Sequence, residues 1–446
     1  MDSFDLAFQR LADLTNYERK KPDAPYRFDL AGMEGLLLRL GSPEKGLGTV
    51  VQIGGSKGKG TVASLLAGLY HATGSSTGLY ASPHVRDLTE RIQYCGRPVP
   101  REQLLVHVQR VGEHLQEGQT WFEAWTAVAV LLFEQRRPDL CIFEVGLGGR
   151  LDSTTALPRQ ACCLTRVELE HTQVLGETIA EIAAEKSAIL REGMTCITGF
   201  SGVALEVLLH QAEELRVPIR VLGRDFAFEP LERTAEGFRV RFGFQGRESR
   251  IMDVPLFAEV QVESLTLACA LLQELDEHRL DKILGAGFAP TFRESLPPAR
   301  FQVLQSDPPV IVDGAHTDES LGLLARDLQA AFPGRRFRMV LGMASGKHYR
   351  CGLGRLAPLV DRAWVAPIVG KPSQSPVELQ AFLREKGVSC ELSAGIGEAV
   401  RTARQEQEDD AGASEVPVAA GTEESGLLVT GSLYAAGEAL AILDEK

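Results

Sequence analysis

The sequence predicts an α/β fold: a mostly parallel, doubly wound sheet carrying a small antiparallel β insertion, followed by a second, smaller α/β domain. Three observations carry this expectation. From residue 49 onward, short apolar, β-branched runs alternate with segments whose apolar residues fall at helical spacing. Residues 226–255 change character, with short alternating runs such as Phe238-Arg239-Val240-Arg241-Phe242. Beyond Ser295-Leu296-Pro297-Pro298-Ala299, which reads as a linker, strand and helix patterns resume. Strands that alternate with helices pair in parallel, and such sheets take ligands at the carboxyl ends of their strands.

In chain order, residues 3–15 and 29–40 read as amphipathic helices on either side of the proline-bearing connection Lys20–Pro25. Thr49-Val50-Val51-Gln52-Ile53 is the first buried strand, and Val62–Tyr70 has helical spacing after it. Strands follow at 76–80, 140–145 and 161–167, with helices at about 101–117, 121–136 and 177–190 between and after them. Helices at about 260–276 and 279–288 close the first domain, placed at 1–296. The second, 297–446, has strands near 301–305, 309–313, 337–342, 362–366, 388–392 and 427–430. Residues 405–425 hold seven acidic residues and neither Lys nor Arg. That stretch reads as a solvated, disordered surface loop with no function.

The totals exclude some classes. A chain of 446 residues can build two or three cores, and 44% hydrophobic with 24% charged residues is ordinary for a soluble globular protein. A net charge of −13, with no basic block, argues against nucleic acid as a partner. No apolar run approaches 18 residues and the start, Met1-Asp2-Ser3-Phe4-Asp5, is acidic, so neither a membrane span nor a signal peptide is expected. The eight cysteines form no CxxC pair. They read as reduced core residues, and the expected location is the cytoplasm.

The candidate chemistry sits at strand ends. Gly54-Gly55-Ser56-Lys57-Gly58-Lys59-Gly60-Thr61 joins a strand to a helix, the setting in which glycines let backbone N–H groups close around a phosphate. Lys59 would reach the outer phosphates and Thr61 would sit near a metal. Ile53 stands where a standard P-loop has its first glycine, so a glycine turn with two surface lysines is the plain alternative. Glu144 ends an apolar strand, where a charge is costly unless it meets a metal or a cation. It resembles the acid that holds Mg²⁺ against phosphates; a carboxylate facing water is the alternative. His171 follows another strand end and could serve a metal, a phosphate or only a polar loop. Lys186, alone, reads as a solvated helix lysine. Asp313 and His316 follow the strand Val310-Ile311-Val312 and could contact a ribose and a phosphate, with Arg300 the cation nearest in sequence. Asp313 or Thr317 could instead cap the next helix. Trp121, Phe122 and Trp125 read as core.

Taken in order, these fragments resemble one family. Gly-x-x-Gly-Lys-Gly-Thr at 55–61, Ala81-Ser82-Pro83-His84, Thr89-Glu90-Arg91-Ile92 and Phe143-Glu144-Val145-Gly146-Leu147-Gly148-Gly149-Arg150-Leu151-Asp152-Ser153-Thr154 open the series. Glu170-His171-Thr172, Glu185-Lys186, Asp313-Gly314-Ala315-His316 and Thr430-Gly431-Ser432-Leu433-Tyr434 continue it. The whole is similar to the folylpolyglutamate synthase/dihydrofolate synthase branch of the Mur ligases. The resemblance implies an N-terminal P-loop ATPase domain, a C-terminal Rossmann-like domain and an active site between them. It implies ATP-dependent amide formation between L-glutamate and a folate or pteroate through an acyl phosphate, with ATP and Mg²⁺; a monomer is the expected state. By matching positions, Gly55, Ser56, Lys57, Gly58, Lys59, Gly60 and Thr61 would hold the phosphates, and Ser82, Glu144 and His171 the metal. Lys186 would be the carbamylated lysine. Ser264, Arg300, Asp313 and His316 would meet the rest of the nucleotide, and Phe122 and Asp152 the pterin-bearing substrate.

The sequence departs from the family pattern at several points. Ser56-Lys57 replaces Thr-Asn in the glycine turn, and Glu170 replaces the usual Asp. Val260-Gln261-Val262-Glu263-Ser264 replaces His-Gln-x-x-Asn, Thr317 replaces the Asn after Gly-Ala-His, and Gly346-Lys347-His348 replaces Asp-Lys-Asp. Serine is too short for the two-point contact an amide makes with a base edge. A ligase for a non-folate acceptor and a nucleotide-binding member without ligase activity therefore stand as alternatives.

Overall fold

The computed structural model describes residues 3–16, 29–234, 236–286, 295–346, 348–413 and 425–444. Eight strands form the first sheet: β1 (Thr49–Gly54), β2 (Thr77–Tyr80), β3 (Ile92–Tyr94), β4 (Arg97–Pro98), β5 (Leu140–Glu144), β6 (Ala161–Leu164), β7 (Thr195–Thr198) and β8 (Ile219–Val221). Their order is β4-β3-β2-β5-β1-β6-β7-β8. All pairs are parallel except β2–β3 and β3–β4. Strand β1 lies between β5 and β6, where the winding changes direction, and its carboxyl end opens into a crevice.

Both faces of this sheet are covered, which is why β1 is apolar almost throughout. Val51 and Ile53 pack with the helices Lys59–Ala72 and Glu259–Leu275, while Val50 packs with the opposite layer built on Trp121–Arg136. Trp121 and Trp125 are buried in that layer, as their sequence context suggested. A three-stranded antiparallel sheet, β9 (Phe226–Thr234), β10 (Gly237–Phe244) and β11 (Arg250–Val254), occupies the predicted insertion and buries its aromatic face against the same helices.

The third sheet contains β12 (Gln302–Ser306), β13 (Pro309–Val312), β14 (Phe337–Leu341), β15 (Val360–Val365), β16 (Ser389–Leu392) and β17 (Gly426–Thr430). Its order is β12-β13-β17-β14-β15-β16, parallel except for the hairpin β12–β13. Helices cover both of its faces. Links join it both to the antiparallel insertion and to the helix Glu259–Leu275. Arg233 on β9 pairs with Asp327 at 2.9 Å, and Gln261 Nε2 donates to Arg300 O at 2.7 Å.

Some expectations need correction. Residues 405–413 are the last turns of the helix Ile396–Ala413, not a disordered loop. Ala403 and Gln407 are buried, and the Gln407 amide donates to Ser425 O at 2.9 Å, so Glu406, Glu408 and Asp409 ride on an anchored helix. Residues 414–424 lie outside the described residues, as do the Lys20–Pro25 connection, residues 287–288 and Lys347. The run 161–167 is a strand only to Leu164, because Thr165 onward leaves the ladder for the crevice. Strands β3, β4, β7 and β8 were not expected; each has four residues or fewer. Six cysteines, at 141, 162, 163, 196, 269 and 390, are buried. Among the described residues, no helix is long and apolar enough to cross a membrane.

Candidate active site

One cavity of about 530 Å³ lies where the carboxyl ends of β1, β2, β5 and β6 face the loop leaving β13. The glycine turn forms one side. Gly55 and Gly58 have φ of +132° and +86°, a region open to glycine at little cost. A Cβ on Gly55 would also overlap Thr165 Oγ1. The turn is stitched to the segment after β6. Thr165 Oγ1 donates to Lys57 O at 2.6 Å, Ser56 N donates to Arg166 O at 2.6 Å, and Glu168 N donates to Ser56 Oγ at 3.0 Å. Gly58 then begins the helix Lys59–Ala72, so unpaired first-turn amides face the cavity at an end that favours anions. Lys59 Nζ folds back to donate to Gly55 O at 3.0 Å and Ser56 O at 3.2 Å.

Glu144, at the end of β5, is buried, and its Oε2 accepts from Ser82 N at 2.9 Å. Burial raises its pKa, against the pull of Lys59, the Ser82 amide, Arg300 and Arg91. The strand-end carboxylate therefore faces cations rather than bulk water. A Cβ on Gly60 would lie 3.4 Å from Glu144 Oε2, so the turn and the carboxylate share one small space.

The segment after β6 supplies a second layer of charge. Arg166 and Glu263 form a two-point ion pair at the cavity lining. Burial pushes Glu168 up to about 7, helped by repulsion from Glu319 across the cavity and from Glu170, and opposed by Lys57 and Arg166. Glu170 goes the other way. Burial disfavours its charge, but Lys59, Lys57, Lys186 and His171 outweigh that and hold it below the usual carboxylate range. Its oxygens lie 3.1 Å from Lys57 Nζ and 3.8 Å from Lys186 Nζ. His171 lines the cavity at the start of a short helix, with φ of 51°.

Lys186 is not the solvated lysine its local sequence suggested. It is 2% exposed and donates from Nζ to Gly55 O at 3.0 Å. Burial, with Lys59 close by, lowers its pKa to about 7, although Glu170 pulls it up.

Across the cavity, Asp313 accepts from Phe301 N at 2.7 Å and Ala315 N at 2.8 Å. Burial raises its pKa against these bonds and Arg300. Burial lowers the pKa of Arg300, while Asp313 on one side and Glu144 on the other favour its charge. His316 Nδ1 lies 2.8 Å from Gly314 O; a carbonyl only accepts, so this nitrogen carries a proton. Thr317, not Asp313, caps the helix Asp318–Ala331, in a capping box with Ser320. Gln261 is spent structurally: its oxygen accepts from Phe257 N and Ala258 N, and its nitrogen donates to Arg300 O. Ser264 lines the cavity, but its hydroxyl turns back to Val260 O at 2.8 Å and lies beside Gly58.

The cavity thus gathers residues 55–61, Ser82, Glu144, His171, Lys186, Ser264, Arg300, Asp313 and His316. Phe122 and Asp152 do not line it. The Phe122 ring abuts Gly146 and sits 5.7 Å from the Tyr80 ring. Asp152 is buried and closes its own loop, accepting from Gly146 N at 2.9 Å, Leu147 N at 3.0 Å, Thr154 N at 3.0 Å and the Thr154 hydroxyl at 2.5 Å. Thr165, Arg166, Glu168, Glu263 and Glu319 line the cavity without having been singled out from sequence. For the first three, the available signal was position, just past the end of a strand.

Residues 299–413 match the Mur ligase, glutamate ligase domain. A probable bifunctional folylpolyglutamate synthase/dihydropteroate synthase of Halobacterium salinarum is 31% identical over 98% of this chain and 51% of that protein. The chain spans about half the length of that relative and of its counterpart in Haloferax volcanii, where the share is 47%. The dihydrofolate synthase/folylpolyglutamate synthase of Bacillus subtilis is 30% identical over 73% of this chain and 78% of that protein. The crystal structure of the bifunctional folylpolyglutamate synthase/dihydrofolate synthase of Yersinia pestis, complexed with AMPPNP and manganese, is 25% identical. It covers 99% of this chain and 98% of its own, with a TM-score of 0.79.

Proposed function

Because this chain belongs to the folylpolyglutamate synthase/dihydrofolate synthase family, we propose that it is an ATP-dependent ligase joining L-glutamate to a folate or pteroate carboxylate. One observation carries the reading: the glycine turn with Lys59, the buried Glu144 and the set Arg300, Asp313 and His316 line a single cavity. A carboxylate is a poor electrophile. Moving the γ-phosphoryl group of ATP onto it gives an acyl phosphate and ADP. The glutamate amine then attacks the acyl carbon, the C–O bond to phosphate breaks, and phosphate leaves as the amine gives up a proton.

The residues have distinct tasks in this scheme. The amides of Gly55–Gly60 and the ammonium of Lys59 would hold the outer phosphates, and Ser264, Arg300, Asp313 and His316 the remainder of the nucleotide. The donor set suits magnesium: Glu144 is a buried carboxylate whose charge gains from a cation, with the Ser82 and Thr61 hydroxyls and His171 on the same cavity. Among the described residues, no group of three or more His, Cys, Asp or Glu could hold a metal by itself. That fits an ion that completes its shell with phosphate oxygens and water. When bound, the ion supplies charge neutralisation of the phosphates. Lys186, with its pKa near 7, suits carbamylation: its lone pair attacks CO₂, an N–C bond forms, and the proton goes to solvent. An ammonium would then become an anion able to face a second metal ion. Phe122 and Asp152 would shape the wall toward the pterin, the former by its ring and the latter by fixing the 146–152 loop. The reading also takes 1–296 and 297–446 as the two domains of a cytoplasmic monomer.

The test is phosphate release from ATP and Mg²⁺ with L-glutamate and a panel of dihydropteroate, tetrahydrofolates and non-folate acids, with Lys59→Ala as the blank. Release that needs both glutamate and a pterin is the expected result. Release with another acceptor would move the protein to a sister ligase. Nucleotide binding without release would instead favour a member that has lost the reaction, in keeping with the turned-back Ser264 hydroxyl.

A further inference from the structure

Three lysine side chains gather at the glycine turn, two of them on the carbonyl of Gly55. Lys59 and Lys186 both donate to Gly55 O, and Lys57 leaves the turn between Gly55 and Gly58. Glu170 reaches two of them, with Oε2 3.1 Å from Lys57 and Oε1 3.8 Å from Lys186.

The two lysines held by Glu170 are not equivalent. The Lys186 side chain is 2% exposed and tied to a carbonyl, whereas the Lys57 side chain is 36% exposed. Lys57's own carbonyl is fixed by Thr165 Oγ1, so its side chain can pivot while the turn stays in place. It stands beside the amides that offer an anion site, yet its charge is occupied by Glu170. An anion entering the turn therefore competes with Glu170 for Lys57. Swapping one partly exposed ion pair for another changes little energy per pair, so the more highly charged partner wins.

We infer that Glu170 is an internal competitor for polyphosphate: nucleotide entry draws Lys57 off Glu170 onto phosphate oxygens, and Glu170 takes it back as the product leaves. This rests on the reading of the glycine turn as a polyphosphate site. ADP carries less charge than ATP, so it holds Lys57 less firmly against Glu170, which favours product release.

Binding of ADP, and separately of inorganic tripolyphosphate, to the full chain by calorimetry without divalent metal tests the exchange. Lys57→Gln should weaken binding about tenfold, and Glu170→Gln should tighten it about threefold or more. In the double variant the gain from Glu170→Gln should largely vanish, because the cation it released is gone. Lys57→Arg should stay within a few fold of the parent chain. Additive effects of the two substitutions, or weaker binding by Glu170→Gln, would overturn the exchange while leaving the nucleotide site intact. Failure of the parent chain to bind either probe would overturn the polyphosphate reading itself. If Glu170→Gln does not fold, Glu170→Asp serves: one methylene shorter, it should release Lys57 and tighten ADP, and unchanged or weaker affinity would count against the inference.

Discussion

Lys186 Nζ lies 3.0 Å from the carbonyl oxygen of Gly55, 131 residues away in the chain. That contact fixes a buried amine against the back of the glycine turn and ties the helix Ile179–Ser187 to the end of β1.

It also makes stability depend on pH. The Lys186 pKa falls from 10.5 to about 7 in the fold. Between those values the unfolded chain holds a proton that the folded protein has lost, so stability rises with pH. Below about 7 the cost of the buried charge is complete, and above 10.5 it is absent. Relative to Lys186→Met, the parent chain should gain about 1.4 kcal/mol per pH unit inside that window. Urea unfolding of both at several pH values measures it, and parallel curves would refute the assignment.

Glu144→Gln keeps an oxygen to accept from Ser82 N but removes the charge that faces Lys59 and Arg300. Folding should survive, with a melting temperature close to or above the parent's, because the desolvated carboxylate is gone. Phosphate release should fall by about 10²-fold or more, the scale of losing one oriented charge at a phosphoryl site. Equal rates in the two proteins would remove Glu144 from the chemistry.

Gly55→Ala meets two obstacles: φ of +132°, and the Thr165 hydroxyl where the methyl would go. Each obstacle alone costs about 1–3 kcal/mol. The expected outcome is a lower denaturation midpoint together with lost nucleotide binding. Thr165→Ala in the same chain removes that hydroxyl but relieves no backbone strain, so it should restore only part of the stability.

Asp152→Asn leaves the two amides of Gly146 and Leu147 competing for a group that is no longer an anion. A destabilisation of about 1–3 kcal/mol is expected. Hydrogen exchange should accelerate at those two amides before it does elsewhere in the sheet. Unchanged exchange there would mean that Asp152 does not hold the loop.

Much of the arrangement was legible from local pattern. Apart from Gln52, Val50–Ile53, Leu140–Phe143 and Val310–Val312 are apolar because each strand is covered on both faces, and the residues after them must then stand at a crevice. Glu144 and Asp313 were found by that argument, and the glycine turn by the same argument joined to its glycine and lysine pattern. The helix through 405–413 was missed because its charge was read without its anchors, Ala403 and Gln407. The shortest strands were missed because a segment of two to four residues carries too little periodicity to register.

The sequence by itself determined the strand–helix alternation of the α/β fold, the glycine-bearing turn and the identity of the charged residues at strand ends. Those are set by periodicity, backbone freedom and the cost of burying charge within a few neighbouring residues. Only the tertiary structure decided what each charge meets. Lys186 looks solvated until the helix Ile179–Ser187 packs it under Gly55, and Ser264 looks available until its hydroxyl turns to Val260 O. Asp152 proves to hold its own loop, and Lys57 finds Glu170. The last pairing joins residues more than a hundred positions apart, where the energy depends on distance and burial that local sequence does not encode.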